Sequence, residues 1–526
     1  MENLVRILEG QPEVETTKAP PKGKKKADGP PVRFVSFHAT PDVIYEQVAD
    51  AAGRCAFLAY DVRTGKAETV QEIPADAEII QPINGDDIEL GAVKLPSAVQ
   101  PYTSTLSLLT EIEDHIKKYL DVSATFLKFA AYYVALSWLY DRFSTVPYLR
   151  ALGDTGCGKS RFLDVIGGIA YKPISASGCV TPAPIYRMLR RWGGTLILDE
   201  ADMKSSDEYN EVITILNCGF ERGRPVLRAT KDNPDKIQVL PVYGPKIFAT
   251  RRRFQDVALE ARCLTEIMQE TDRDDIPPVL GRQFQDEQQS LRNKLLLFRF
   301  RNYHTVDPEA GADFRLPEVE PRLRQVSEAF LSLFANEPAV IEDFKSFIAD
   351  HQRELIEQRA NTKTGQIVNT LFALLGESGY TSTRGTQVLW DSSQLVPHEV
   401  IGISPGDIAE RLELTPQSVG VILKGLGLCT KVKKRHGERK REIVYNENTF
   451  KKLQKRYVID EPDDQEIEDV KSNVPREPCA PRVPLFNQGT PSDITKTWPF
   501  CEGCNRKVPS VNQNGHCPDC EAVEGG

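Results

Sequence analysis

The sequence predicts a multidomain α/β chain. Its core is a parallel sheet with helices on both faces, followed by a helical lid, a winged helix-turn-helix and a small zinc ribbon. Three observations predict this. A glycine loop, Gly153-Asp154-Thr155-Gly156-Cys157-Gly158-Lys159-Ser160, lies between an apolar run at 147–152 and a stretch with apolar residues at helical spacing (Phe162, Leu163, Val165, Ile166, Ile169). A second apolar run, 195–198, ends in the acid pair Asp199-Glu200, as a buried parallel strand with carboxylates at its C-terminal edge does. Two Cys-x-x-Cys pairs stand near the end of the chain.

Composition bounds the rest. A chain of 526 residues is long enough for about three or four domains. With 40% hydrophobic and 27% charged residues it reads as a soluble globular protein. No apolar run reaches membrane-spanning length, and the first residues lack the apolar stretch of a signal peptide. The eleven cysteines are scattered apart from four at the C-terminal end, which points to a reducing cytoplasm and one metal site. A net charge of −9 means that any nucleic-acid contact must use local basic patches.

Taken in order, 1–31 reads as a disordered tail with a lysine run at 24–26. Residues 32–104 alternate short apolar runs (33–37, 55–60) with turns, including a hairpin turn at 61–66. That predicts a small β-rich domain, taken as a docking module. Residues 105–144 are helical. Leu106, Leu109, Ile112, His115 and Ile116 form an apolar stripe, and 126–143 reads as one long helix whose Tyr132, Tyr133, Trp138 and Tyr140 are core.

The chemistry concentrates in 145–270. The loop glycines allow several backbone N–H groups to converge on one phosphate, aided by the helix N-terminus. Lys159 reaches the β- and γ-phosphates of ATP, and the Ser160 hydroxyl sits on Mg²⁺, with Arg161 beside the loop. Asp199, 39 residues past Ser160, holds Mg²⁺ through water, and Glu200 polarises the attacking water as general base. Asp202 reads as a cap on the next turn. A helix at 208–221 precedes a hairpin, 225–230 and 237–240, around the turn 231–236. A strand at 246–250 ends in Thr250 and Arg251-Arg252-Arg253. Then Leu259-Glu260-Ala261-Arg262 leads into a strand at 263–268.

This order of parts resembles an AAA+ ATPase: phosphate loop, Asp-Glu strand, helix, hairpin, polar-tipped strand, then Leu-x-x-Arg before a fifth strand. It is similar to the branch holding minichromosome maintenance helicases, superfamily 3 helicases and helicase-like ATPases of phages and mobile elements, over residues 105–345. The resemblance implies that Thr250 is the polar tip that senses the γ-phosphate or the attacking water, where many members carry Asn. It implies that Arg262 is an arginine finger acting on a neighbouring subunit's ATP, with Arg251 to Arg253 as rivals. It implies a hairpin lining a channel, with Lys231 and Lys236 gripping single-stranded DNA; a plain surface turn fits those residues equally. In the helical lid, 271–355, it implies that Arg324 acts as a second sensor, with Arg322 in reserve.

Residues 360–458 read as a winged helix. Ser404-Pro405 and Thr415-Pro416 each cap a helix start, and 429–434 with 439–445 form a two-stranded wing. Gln417, Ser418 and Lys424 face a major groove, while Lys433, Lys434, Arg435, Arg439 and Arg441 supply phosphate contacts. A protein-docking winged helix is the other reading. After a linker, 459–497, the segment 498–521 carries Cys501, Cys504, Cys517 and Cys520, the spacing of a four-thiolate structural Zn²⁺ site.

The expected function is an ATP-dependent DNA helicase or translocase, working as a ring of copies, such as a hexamer, with other replication proteins, in replication of a phage or mobile element. The alternative is an ATP-switched DNA-binding regulator or assembly factor without unwinding. A scaffold with an inert nucleotide site is disfavoured by the full set Lys159, Asp199 and Glu200.

Overall fold

The computed structural model describes residues 30–75, 78–176, 182–199, 207–229, 237–254, 256–314, 316, 319–378, 381–384, 387–390, 398–435 and 438–458. The chain divides into two units, and the first, Met1–Arg384 with Val388–Ile459, holds every element described below.

Five parallel strands make the central sheet. They are β1 (Tyr148–Leu152), β2 (Ile174–Ala176), β3 (Leu196–Leu198), β4 (Lys246–Thr250) and β5 (Cys263–Ile267), in the order β5-β1-β4-β3-β2. Every residue of β1 and β4 is buried, as expected for strands covered on both faces by helices. Because β4 lies between β1 and β3, the segments that follow these three strands meet at one carboxyl edge, where ligands of open α/β sheets collect.

The segment after the glycine loop is helical, but not uniformly α. Lys159–Phe162 is α and Leu163–Gly167 is π. Gly167 lets this turn press on β3, since a Cβ there would lie 2.6 Å from the Ile197 side chain.

Two expectations about the preceding helices need correction. The helix Thr105–Tyr119, capped by Ser104, buries Leu108, Leu109, Ile112 and Ile116, while Leu106 is exposed. Leu109, Ile112, His115 and Ile116 of the expected stripe are buried, so only Leu106 departs from it, with Leu108 buried in the same turn. The next helix, Ala124–Ser137, ends six residues short of position 143, and the chain continues through a 3₁₀ turn, Tyr140–Arg142. Trp138 is still core. Its indole N–H donates to the Ile169 carbonyl at 3.0 Å, tying this region to the turn that ends the helix of the glycine loop.

The N-terminal strands form a four-stranded antiparallel sheet and a three-stranded sheet. The four-stranded sheet shares one continuous apolar core with the central sheet, whereas Ile73 and Ile80 of the three-stranded sheet form a separate small cluster with Phe57. A buried ionic cluster adds to this. The Lys172 ammonium donates to the Ser36 carbonyl at 2.8 Å and to Glu46 at 3.1 Å. Arg299, on the helix Arg282–Asn302, donates to Asp141 at 2.7 and 2.8 Å and lies over the Phe37, Tyr171 and Tyr303 rings. Burial pulls the Lys172 ammonium down to about 8, against the pull of Glu46. Lys172 is also held at φ 42°, a left-handed conformation that the cluster keeps in place.

The helix Arg282–Asn302 falls within the stretch expected as a lid. It runs along the core: Gln288 donates to the Asp164 carbonyl at 2.8 Å and Arg292 to the Gly168 carbonyl at 2.7 Å. Pro321–Leu333 and Pro338–Ala360 pack their phenylalanines on Phe129 of Ala124–Ser137. Residues Ile367 to Tyr457 have a separate core.

Candidate functional site

The glycine loop leaves β1 at the carboxyl edge. Gly156 and Gly158 have φ of 93° and 88°, a conformation that side chains resist, so both positions need glycine. The loop is held on two sides. Gly153 N–H donates to the Thr250 carbonyl at 3.2 Å, and Met268 N–H to the Leu152 carbonyl at 2.7 Å. Within it, the Cys157 thiol donates to the Asp154 carbonyl at 2.9 Å. The Lys159 ammonium folds into the loop mouth, donating to the Gly153 carbonyl at 2.7 Å and to that of Asp154.

Ser160 and Asp199 meet. The Ser160 hydroxyl donates to Asp199 Oδ2 at 3.0 Å, and the Asp199 amide donates to the Ala176 carbonyl at 3.3 Å, which anchors the end of β3. A hydroxyl and a carboxylate at this spacing are an all-oxygen donor set of the kind Mg²⁺ takes, an ion that usually keeps several waters. Glu200 lies outside the described residues.

Thr250 ends β4, paired in register with Leu152. It is fully buried, and its hydroxyl has no hydrogen-bond partner among the described residues. An unsatisfied buried hydroxyl costs about 1–3 kcal/mol, and this one ends a strand beside the glycine loop.

A cleft of about 250 Å³ opens on the other side of the loop, walled by Leu120, Met268, Ile276, Pro277 and Pro278. Arg161 lines it without pointing a free guanidinium into it, since that group donates to the carbonyls of Pro277 and Pro278, both at 2.7 Å. Asp121 accepts from the Thr271 hydroxyl at 2.6 Å on the same rim. Sequence reading missed this wall. Its available signal was the Ile276-Pro277-Pro278 run soon after the fifth strand, where paired prolines fix an extended segment.

The arginines divide unexpectedly. Cys263 of β5 pairs with Tyr148, the first residue of β1, so Arg262 stands at the edge opposite the glycine loop. Four strand steps separate the two edges, about 13 Å. Arg262 is 9% exposed: its guanidinium donates to Asn217 and lies 5.2 Å over the Phe220 ring, and its Nε has no hydrogen-bond partner among the described residues. Burial, with the neighbouring Arg322 cation, lowers its pKa. Arg322 is 5.7 Å from the same ring. Arg324 instead donates to the Val319 carbonyl at 3.1 Å. The structure thus brings Arg322, the reserve candidate, to Arg262.

Among the three arginines after Thr250, Arg253 donates to Glu260 at 2.7 Å, and Arg251 and Arg252 are exposed. Glu260 is a junction. Its carboxylate also accepts two bonds from Arg150, at 2.7 and 2.5 Å, and one from the Phe254 amide at 3.1 Å. Arg150 is fully buried in β1 and further donates to Thr265 of β5 at 2.8 Å. Burial pushes the Glu260 carboxyl up, but the Arg150 and Arg253 bonds outweigh it and leave it below its ordinary value.

In the C-terminal module, Ser404 caps Pro405–Arg411 with a reciprocal bond from its own amide to Asp407, and Thr415 caps Pro416–Gly425. Gln417 and Lys424 are exposed. Ser418 is half-buried and donates to the Thr415 carbonyl at 2.8 Å. The strands Thr430–Arg435 and Glu438–Ile443 form an antiparallel ribbon with Lys433, Lys434, Arg439 and Arg441 exposed.

Lys231, Lys236, the Arg435 side chain and Cys501, Cys504, Cys517 and Cys520 lie outside the described residues. Among the described residues no cluster of His, Cys, Asp and Glu could hold a metal ion, and no helix is long and apolar enough to cross a membrane.

No protein-family model and no curated protein matches this chain. Among solved structures it is similar to SCCmec type IV Cch, described as an active helicase, at 11% identity and a TM-score of 0.37, over 80% of this chain and 80% of that one. It is similar to the C-terminal region of NrS-1 at 13% identity and a TM-score of 0.36, over 76% of this chain and 96% of that one. A full-length MCM homolog from Methanopyrus kandleri matches at 12% identity and a TM-score of 0.28, over 60% of this chain and 74% of that one.

Proposed function

We propose that this chain is a magnesium-dependent ATP hydrolase that uses hydrolysis to move on or unwind DNA as a ring of copies. The observation that carries the reading is the 3.0 Å contact between Ser160 and Asp199, made at the carboxyl edge of the sheet beside the Lys159 ammonium. On nucleotide binding, the Lys159 ammonium leaves the Gly153 and Asp154 carbonyls for the β- and γ-phosphates, while the loop amides donate to phosphate oxygens. Ser160 and Asp199 would hold Mg²⁺, which neutralises charge on the phosphates when bound. Glu200 takes the proton of the attacking water, and the free Thr250 hydroxyl bonds the γ-phosphate or that water. The cleft between Leu120, Met268 and Pro277 receives the base. Arg262, remote from its own loop, serves the ATP of a neighbouring copy once it leaves Asn217.

In this reading the C-terminal module, as a winged helix, places the motor on duplex DNA. The four C-terminal cysteines hold one structural Zn²⁺, and metal analysis of the full chain should find one zinc per copy. Hydrolysis measured with and without single-stranded DNA, together with strand displacement on a forked duplex, tests the whole. DNA-stimulated hydrolysis with unwinding is expected; an ATPase indifferent to DNA removes the motor.

One observation favours the second reading, an ATP-switched regulator or assembly factor. The hairpin Val226–Ala229 with Ile237–Leu240 pairs Leu227 with Val239 and Ala229 with Ile237, so one exposed face of it is apolar. Such a face suits a protein contact better than a phosphate backbone. DNA binding without unwinding would select this reading.

A further inference from the structure

We infer that the C-terminal module reads the sequence of duplex DNA, with Val421 packed on the 5-methyl group of one thymine. This rests on the DNA-binding reading above and says what that binding recognises.

The outward face of the helix Pro416–Gly425 consists of Gln417, Gly420, Val421 and Lys424, spaced at one helical turn. Val421 is 72% exposed. Gly420 has an ordinary backbone, and a Cβ there would meet nothing within 4 Å, so neither packing nor conformation demands glycine. Its missing side chain leaves the helix surface open to close approach from outside. Lys424 is the one charge on this face, which is therefore poor at holding phosphates and suited to base edges. Gln at one turn from an apolar side chain matches the major-groove pattern of adenine N6 and N7 beside a thymine methyl.

The phosphate-binding charge sits across a groove of about 1060 Å³, on the ribbon. In its register Val432 pairs with Arg441 and Lys434 with Arg439, so three cations share the face of the ribbon that Val432 and Arg441 turn to the groove. Two acids also line the groove. Asp407 is occupied by the Ser404 amide at 2.7 Å, and Glu410 is exposed. None of the groove-lining residues is aromatic, whereas single-strand binding relies on aromatic stacking, so duplex is the occupant. A protein partner would need a broad apolar patch; here Val421 and Val432 stand among cations.

The test uses the full chain and a pool of random duplexes, selected for binding and sequenced. Affinity is then measured for the selected duplex with each thymine replaced in turn by deoxyuridine, which removes only the methyl group. At one position the loss should weaken binding about fourfold, the equivalent of one buried methyl. Val421→Ala should abolish that sensitivity, while Lys434→Ala, Arg439→Ala and Arg441→Ala should weaken all duplexes alike and flatten the salt dependence. A selected pool with no sequence preference, or a deoxyuridine effect unchanged in Val421→Ala, overturns the inference and leaves DNA binding standing. No duplex binding at all, or displacement of duplex by no salt concentration but by a peptide, overturns both. Val421 is exposed, so thermal unfolding of Val421→Ala should match that of the parent chain.

Discussion

The Ser160 hydroxyl donates to the Asp199 carboxylate at 3.0 Å, joining the loop after β1 to the end of β3 across the intervening β4. Each group supplies one oxygen to the same small volume. Ser160→Ala and Asp199→Asn should each raise the Mg²⁺ concentration for half-maximal hydrolysis at least about tenfold, with nucleotide binding in the absence of Mg²⁺ little changed. Metal titrations of ATPase rate check this, and an unaltered Mg²⁺ requirement in both variants would remove the pair from metal binding.

Lys159 and Glu200 should separate binding from turnover. Lys159→Ala takes away the ammonium that now rests on the Gly153 carbonyl, and ATP binding should be lost or hydrolysis abolished. Glu200→Gln should bind ATP normally and turn it over roughly 10²- to 10⁴-fold more slowly. Equilibrium binding of a fluorescent ATP analogue beside steady-state rates distinguishes the two; parent-like turnover in Glu200→Gln excludes it as the base.

Thr250 should show stability and activity moving in opposite directions. Its buried hydroxyl has no hydrogen-bond partner among the described residues. Thr250→Val keeps the shape and drops the unsatisfied oxygen, so the melting temperature should hold or rise. The rate should fall by roughly 10²-fold if that hydroxyl bonds reacting atoms. A Val variant at full rate would show the hydroxyl to be idle.

Arg262 is packed against Asn217 and Phe220 and lies at the edge away from its own loop. If it serves a neighbour, Arg262→Ala mixed with Lys159→Ala should recover hydrolysis that neither has alone, because a mixed interface then holds one intact site. Arg252→Ala should hydrolyse ATP by itself, so the same mixture should show no gain over it. Recovery with Arg252→Ala and none with Arg262→Ala would transfer the role.

Glu260 should govern acid stability. Its depressed carboxyl pKa means that its contribution is complete above the unfolded value, about 4.3, and is lost as pH falls through the folded value. Glu260→Gln leaves the Arg150 cation buried without its partner and should cost about 3 kcal/mol at neutral pH. As pH falls below the depressed folded value, the two unfolding curves should converge. A constant gap between them down to pH 2 would show that the carboxylate is not the titrating group.

The sequence by itself determined the pieces whose physics is local. Glycines at 156 and 158 announce a loop with positive φ, Ser404 and Thr415 announce helix starts, and the run before Asp199 announces a strand buried on both faces. Even the meeting of Ser160 with Asp199 was legible, because a short motif and a strand end specify it together. Tertiary structure alone decided what depends on strand order and on distant partners. In the first turn of its helix, Leu108 rather than Leu106 is buried, a choice made by the core that the helix packs on. Arg322 rather than Arg324 reaches Arg262 because the helix Pro321–Leu333 docks with that face toward Phe220. The Arg150–Glu260 pair spans 110 residues and forms only because β5 lies beside β1. Caps and glycine turns are settled by a few neighbouring bonds, whereas a buried charge finds its partner only after the sheet has chosen which strands are adjacent.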